Sequence, residues 1–237
     1  MLRILQLESD PNQLLSAINL ADYQYILEDD APADEIDYAD YSEDMLERIK
    51  RCTITSKTQQ CLNLINGLVL QKKPIVVWCI YVKTIQNLSR LLKQEGVRVK
   101  TVYGEVPLDE RQTILQEFKN GEFDVLITNP NTLAESISLH TVCHDAIYFE
   151  YSFNLVHLLQ SKDRIHRLGL PEGQYTQFYF LETMYPVEDG YYSMDDQIYT
   201  RLRDKESTML KAIDSDMLAQ MPTTDEELDM IFAALNL

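Results

Sequence analysis

Three polar side chains stand out in the stretch FNLVHLLQSKDRIHRLGLPEG, residues 153 to 173. They are Gln160, Arg164 and Arg167, at offsets of four and three within an otherwise apolar segment. On a helix, positions i, i+4 and i+7 share one face, and at a 1.5 Å rise per residue the three heads span about 10 Å. That length suits a nucleotide's phosphate tail, because an arginine fork meets phosphate oxygens bidentately. The same residues allow a plainer reading, in which Arg167 pairs with Asp163 four positions earlier and Arg164 is a solvated surface residue.

The elements that position this stretch are legible as a change of period. Residues 2 to 27 read as helical, followed by an acidic, Pro32-containing run (28 to 44) that suggests a loop or linker. Helical spacing returns from Asp44 and again over Thr55 to Leu70. "PIVVWCIYV" (74 to 82) is nearly continuous in apolar residues, as a strand buried on both faces must be. Strands at 98 to 104, 123 to 128, 145 to 150 and 176 to 182 then alternate with helices at 83 to 95, 108 to 119 and the opening stretch. This alternation predicts an α/β fold, a parallel sheet with helices on both faces. Ligands of such sheets sit at the carboxyl ends of the strands. From Ser193 the chain reads as two acidic amphipathic helices.

The formal charge of −17 is unevenly spread. Residues 1 to 47 carry a net −12 and residues 182 to 237 a net −9, whereas residues 48 to 181 carry a net +4. A partner with phosphates fits the basic middle, while the acidic ends oppose a polyanion. The apolar runs fall short of the roughly 18 residues a bilayer crossing requires, so no membrane partner is expected. With no leader pattern at the start, the sequence predicts an intracellular, in a bacterium cytoplasmic, protein. Cys52, Cys61, Cys79 and Cys143 form no C-x-x-C pair, and His140, Cys143 and His144 lack an evident fourth ligand, so no metal site is expected.

The stretches VVWCIYVKTIQNL, VYGEVPLDERQTILQEFKNGEFDVLITN, ESISLHTVCHDAIYFEYSFN and QSKDRIHRLG occur in the order and spacing of motifs IV, V and VI of superfamily 2 helicases. The last fits Q-x-x-D-R-x-H-R-x-G. Residues 55 to 182 resemble the second RecA-like lobe of a Swi/Snf-related ATPase, and MLRILQLESDP and TSKTQQCLNLI resemble its lobe-linking segments. The resemblance implies a division into a helical acidic extension (1–54), a RecA-like helicase C-terminal lobe (55–184) and an acidic helical tail (185–237). It also implies arginine fingers at Arg164 and Arg167 on the γ-phosphate of ATP, with Gln160, Glu135 and Ser136 near the nucleotide. Lys83, Gly104, Thr128 and Asn129 fall where relatives approach a nucleic-acid backbone. By their residue types alone, Thr128 also reads as a strand-end cap, Glu135 as a surface residue, Lys83 as a snorkelling side chain and Arg111 as packing on its own helix. The chain reads NPNTLAES where the family usually has a glycine pair.

No G-x-x-x-x-G-K-[ST] loop and no D-E-x-H-type acid pair is present, so ATP with Mg²⁺ would be bound jointly with a first RecA-like lobe. Two functions follow. The chain is the second lobe of an ATP-dependent duplex-DNA translocase or helicase, inactive without its first lobe, or it is a non-catalytic protein-interaction module that retains the fold.

Overall fold

The computed structural model describes residues 2–15, 41–133, 138–167, 170, 172–188 and 190–215. Its centre is a five-stranded sheet of β1 (Ile75–Trp78), β2 (Val99–Val102), β3 (Val125–Thr128), β4 (Asp145–Tyr148) and β5 (Gln177–Phe180). The strands are all parallel, in the order β2-β3-β1-β4-β5. The three inner strands are buried at every position, and the edge strands β2 and β5 are not, which explains why 74–82 reads as an unbroken apolar run.

Alternation along the strands divides the core in two. Ile75, Val77, Val125, Ile127 and Ile147 face α3 (Ser56–Leu70) and α4 (Val82–Gln94), through Leu62, Ile65, Ile85, Leu88 and Leu92. Val76, Trp78, Leu126 and Tyr148 face α5 (Leu108–Lys119), α6 (Leu155–Ile165) and α7 (Met194–Ser215), through Ile114, Phe118, Leu158, Ile198 and Leu202. Trp78 is fully buried within this second layer. Thr55 opens α3 by accepting the Thr58 N–H, and Asn154 opens α6 by accepting that of His157 at 2.9 Å.

Two expectations change. The helix read over 2 to 27 is broken: α1 (Leu2–Ser9) stops before Pro11 and gives way to a 3₁₀ turn, Pro11–Leu15. Pro11 supplies no N–H, and the Asp10 carboxylate instead takes the Asn12 amide at 2.9 Å. Residues 16 to 27 and the acidic run up to residue 40 lie outside the described residues. The tail read as helical over 185–237 opens with an antiparallel hairpin, β6 (Tyr185–Val187) and β7 (Gly190–Tyr192), in which Gly190 takes a φ of 138°; a helix does start at the Ser193 boundary, and residues 216–237 lie outside the described residues. After it, α7 runs 22 residues, and its Met194, Ile198 and Leu202 enter the same core as Leu5 of α1. Another short helix, α2 (Glu43–Arg51), precedes α3.

Candidate functional site

Because the sheet is parallel, the turns after β1, β3 and β4 emerge on one edge, its carboxyl edge. Lys83 is exposed in the first turn of α4 on this edge. Thr128 ends β3 with no exposed surface, and its hydroxyl is turned to the Asn129 carbonyl at 3.3 Å. This contact fits the strand-end role of Thr128. Asn129 is half-buried, and its side-chain oxygen accepts the Thr132 N–H at 3.1 Å, which fixes the turn that follows.

Gly104, just beyond β2, is exposed, and a Cβ built on it meets nothing within 4 Å. The Arg111 guanidinium reaches back from α5 to the carbonyls of Gly104 (2.7 Å) and Val106 (2.6 Å). Arg111 thus clamps the turn rather than packing on its own helix.

Helix α6 starts on the carboxyl edge at Leu155 and runs about 16 Å back along the sheet over its 11 residues. Its last turn carries Arg164. The helix ends at Ile165, and His166 has extended backbone angles (φ −126°, ψ 113°), so Arg167 stands beyond the helix. Gln160, Arg164 and Arg167 therefore do not line one helical face: Gln160 and Arg167 are exposed, and Arg164 is 9% exposed. Arg167 donates its Nε–H to the Asp163 carbonyl oxygen at 3.1 Å, a helix-end contact, and among the described residues it forms no ion pair with the Asp163 carboxylate. Burial, and then the charge of Arg167, hold the Arg164 guanidinium below its ordinary range, against the opposing pull of Asp163. The segment after β3 returns to this spot, where the Leu139 N–H meets the Arg164 carbonyl at 2.7 Å. Motifs V and VI are thereby brought together at the end of α6; Glu135 and Ser136 themselves lie outside the described residues.

Buried polar residues that the sequence reading passed over surround this frame. Glu150, 4% exposed, accepts the N–H groups of Ile80 (2.7 Å) and Tyr81 (2.9 Å) on one oxygen and the Thr84 hydroxyl (2.6 Å) on the other. Burial raises its carboxyl above the usual range, and these hydrogen bonds oppose the rise. Lys57 of α3 pairs with Asp195 of α7 at 2.7 Å, with side chains 1% and 6% exposed, and lies 5.3 Å from the centre of the Phe149 ring. Glu8 of α1 accepts the N–H groups of Met194 (2.9 Å) and Asp195 (3.1 Å), capping α7. Burial and the neighbouring Asp195 push the Glu8 carboxyl up to about 7. The one local signal for Glu150 was a lone carboxylate inside the apolar run AIYFEYSF.

A crevice between β1, β4 and α6, lined by Ile80, Tyr148, Glu150, Asn154, His157 and Ser161, holds only about 10 Å³. That is room for a single water, not a nucleotide. Cys143 is a buried structural thiol, donating to the carbonyls of Pro74 (3.3 Å) and Asp145 (3.4 Å).

The five-stranded parallel sheet, its flanking helices and the joined turns at the end of α6 define the RecA-like fold of a helicase C-terminal lobe. Residues 56–169 match the family model of the helicase conserved C-terminal domain. The chain is similar to the ATP-dependent RNA helicase RhlB of Xanthomonas axonopodis pv. citri, 25% identical over 85 residues, which covers 36% of this chain and 14% of that protein. It is also similar to the ATP-dependent RNA helicase DBP3 of Lodderomyces elongisporus, 29% identical over 95 residues, covering 40% of this chain and 16% of that one. The matched stretches thus span only a small part of these curated relatives. Among solved structures, the C-terminal part of the Fun30 ATPase domain aligns with a TM-score of 0.57 at 18% identity, over 76% of this chain and 55% of that one, a likeness of fold. Among the described residues, no helix is long and apolar enough to cross a membrane.

Proposed function

We propose that this chain is the second motor lobe of an ATP-dependent, Swi/Snf-related translocase or helicase acting on duplex DNA. In this reading ATP and Mg²⁺ are held by a first RecA-like lobe, on the same polypeptide or a separate subunit. Arg164 and Arg167 reach across the cleft to the γ-phosphate, and Gln160, Glu135 and Ser136 lie on the nucleotide side. The observation that carries the reading is the stretch QSKDRIHRLG, which lies inside the matched helicase C-terminal domain and brings Arg164 and Arg167 together at the end of α6. Phosphoryl transfer places growing negative charge on the γ-phosphate oxygens, which a pair of guanidinium groups meets bidentately. Lys83, Gly104, Thr128 and Asn129 form the backbone-facing part of the carboxyl edge.

The named relatives are RNA helicases, which makes single-stranded RNA the competing substrate. Fluorescence anisotropy on the full chain, with a duplex DNA and a single-stranded RNA of equal length over a salt series, separates the two. The expected result is weak binding that favours the duplex, with log K falling by about 0.9 per phosphate contact for each decade of salt. A preference for the RNA overturns the duplex assignment. Affinity indifferent to salt overturns the nucleic-acid surface and leaves the protein-interaction module. The isolated chain is expected to show no ATP turnover with either nucleic acid.

A further inference from the structure

Helix α4 opens without a cap of its own. Its N-cap position is Tyr81, which makes no side-chain hydrogen bond to the first turn, although that turn carries Lys83. A helix start with unmet N–H groups frays unless a neighbour supplies acceptors. Here the neighbour is Glu150, two residues past the end of β4, whose Oε2 accepts both Ile80 and Tyr81 N–H groups. Its Oε1 takes the Thr84 hydroxyl at 2.6 Å, and Thr84 Oγ1 in turn accepts Gln13 Nε2 at 2.9 Å. Ser9 also hydrogen-bonds Glu150. Gln13, Thr84 and Glu150 are each under 5% exposed.

We propose that Glu150, with Thr84 and Gln13, is a positioning residue that holds the Lys83-bearing turn in place for nucleic acid, and that docking of the Pro11–Leu15 turn completes it. This rests on the reading of the carboxyl edge as a nucleic-acid surface. The carboxyl accepts the N-cap N–H of α4 and the N–H before it, and so anchors the entry to the helix. Removing Gln13 leaves the Glu150 contacts formed but takes away the donor that orients Thr84. The N-terminal segment is therefore wired to the edge 71 residues away in sequence. Any displacement of residues 9 to 13 would loosen the turn and shift Lys83, so the segment reports its docked state to the nucleic-acid surface.

The test uses the full chain and four variants, Gln13→Ala, Lys83→Ala, their double, and Glu150→Gln, whose amide oxygen still accepts the two backbone N–H groups. Two readouts are taken: hydrogen exchange at the amides of residues 80 to 84, and the salt slope of duplex-DNA binding. Lys83→Ala should lower the slope by about one contact without changing exchange. Gln13→Ala should speed exchange at residues 80 to 84 at least tenfold and lower the slope by part of a contact, and the double variant should bind no more weakly than Lys83→Ala alone. Glu150→Gln keeps an acceptor for the two N–H groups but loses the one for the Thr84 hydroxyl, so it should also speed exchange at residues 80 to 84, and exchange equal to the parent's overturns the role of Glu150. Unchanged exchange in Gln13→Ala, or losses of binding that simply add in the double variant, overturns the positioning role while leaving the surface intact. A parent chain that binds no DNA overturns the surface itself and this role with it.

Discussion

Lys57 and Arg164 are two buried cations in one lobe, 4% and 9% exposed, and the chain treats them differently. Lys57 is met by its counter-charge at 2.7 Å, by an aromatic face and by a second carboxylate, Glu8, close by. Burial lowers the proton affinity of Arg164, and its neighbour Arg167 lowers it further, against the pull of Asp163. A cation kept for stability carries its compensation with it, because an unpaired buried charge is costly. Two guanidinium groups placed side by side suit an anion such as a phosphate, which both can meet.

The sharpest way to break this comparison is to remove the compensation at Lys57. Lys57→Met leaves Asp195 buried beside Glu8 with no cation, and stability should fall by about 3–5 kcal/mol. Chemical denaturation measures this. Adding Asp195→Asn, which keeps an acceptor for the Thr183 N–H (2.9 Å), should restore most of the loss. If Lys57→Met costs no more than an ordinary surface change, Lys57 is not the structural cation described here.

A smaller effect concerns Glu8, the second carboxylate at that site. The groups facing it are Asp195 of α7, Lys57 of α3, Tyr185 and Tyr192 of the hairpin, and Tyr151 after β4. Its carboxyl titrates near 7 when folded and near 4.5 when unfolded, so between these values the folded chain holds a proton that the unfolded chain has released. Stability from this group is therefore full below about pH 4.5, falls as the pH rises to about 7, and is flat above that. Melting curves of the parent and Glu8→Gln across pH 4.5 to 8 should diverge with rising pH in favour of the variant. A constant offset would remove Glu8 as the source of the slope.

Much of the lobe was legible because its signals are local. The all-buried strands β1, β3 and β4 read as continuous apolar runs, and helices α3 and α5 begin within a residue of where the sequence placed them. The hairpin at residues 185 to 192 was missed because its strands are three residues long and Pro186 and the consecutive Tyr191 and Tyr192 give no clean alternation. Arg167 was drawn onto a helical face because the i+7 spacing says nothing about His166 leaving the helix. The buried carboxylates were beyond reach for a different reason. Glu150 meets Thr84 across 66 residues and Glu8 meets Asp195 across 187, and no periodicity encodes such partners.

The account stands or falls on what the arginine pair is for. The direct measurement is steady-state ATP turnover, with saturating duplex DNA, of this lobe joined to a first RecA-like lobe, comparing the parent with Arg167→Ala, Arg164→Ala and the control Asp163→Ala. Arg167 is exposed and outside the helix, so its replacement should leave the melting temperature and DNA affinity close to the parent. Turnover should nonetheless drop by about 10³-fold or more, because the charge Arg167 meets grows only in the transition state. Arg164→Ala should lose a similar factor, a lysine at either position should restore little, and Asp163→Ala should keep most of the turnover. Turnover that survives Arg167→Ala in a folded, DNA-binding protein would contradict the central claim.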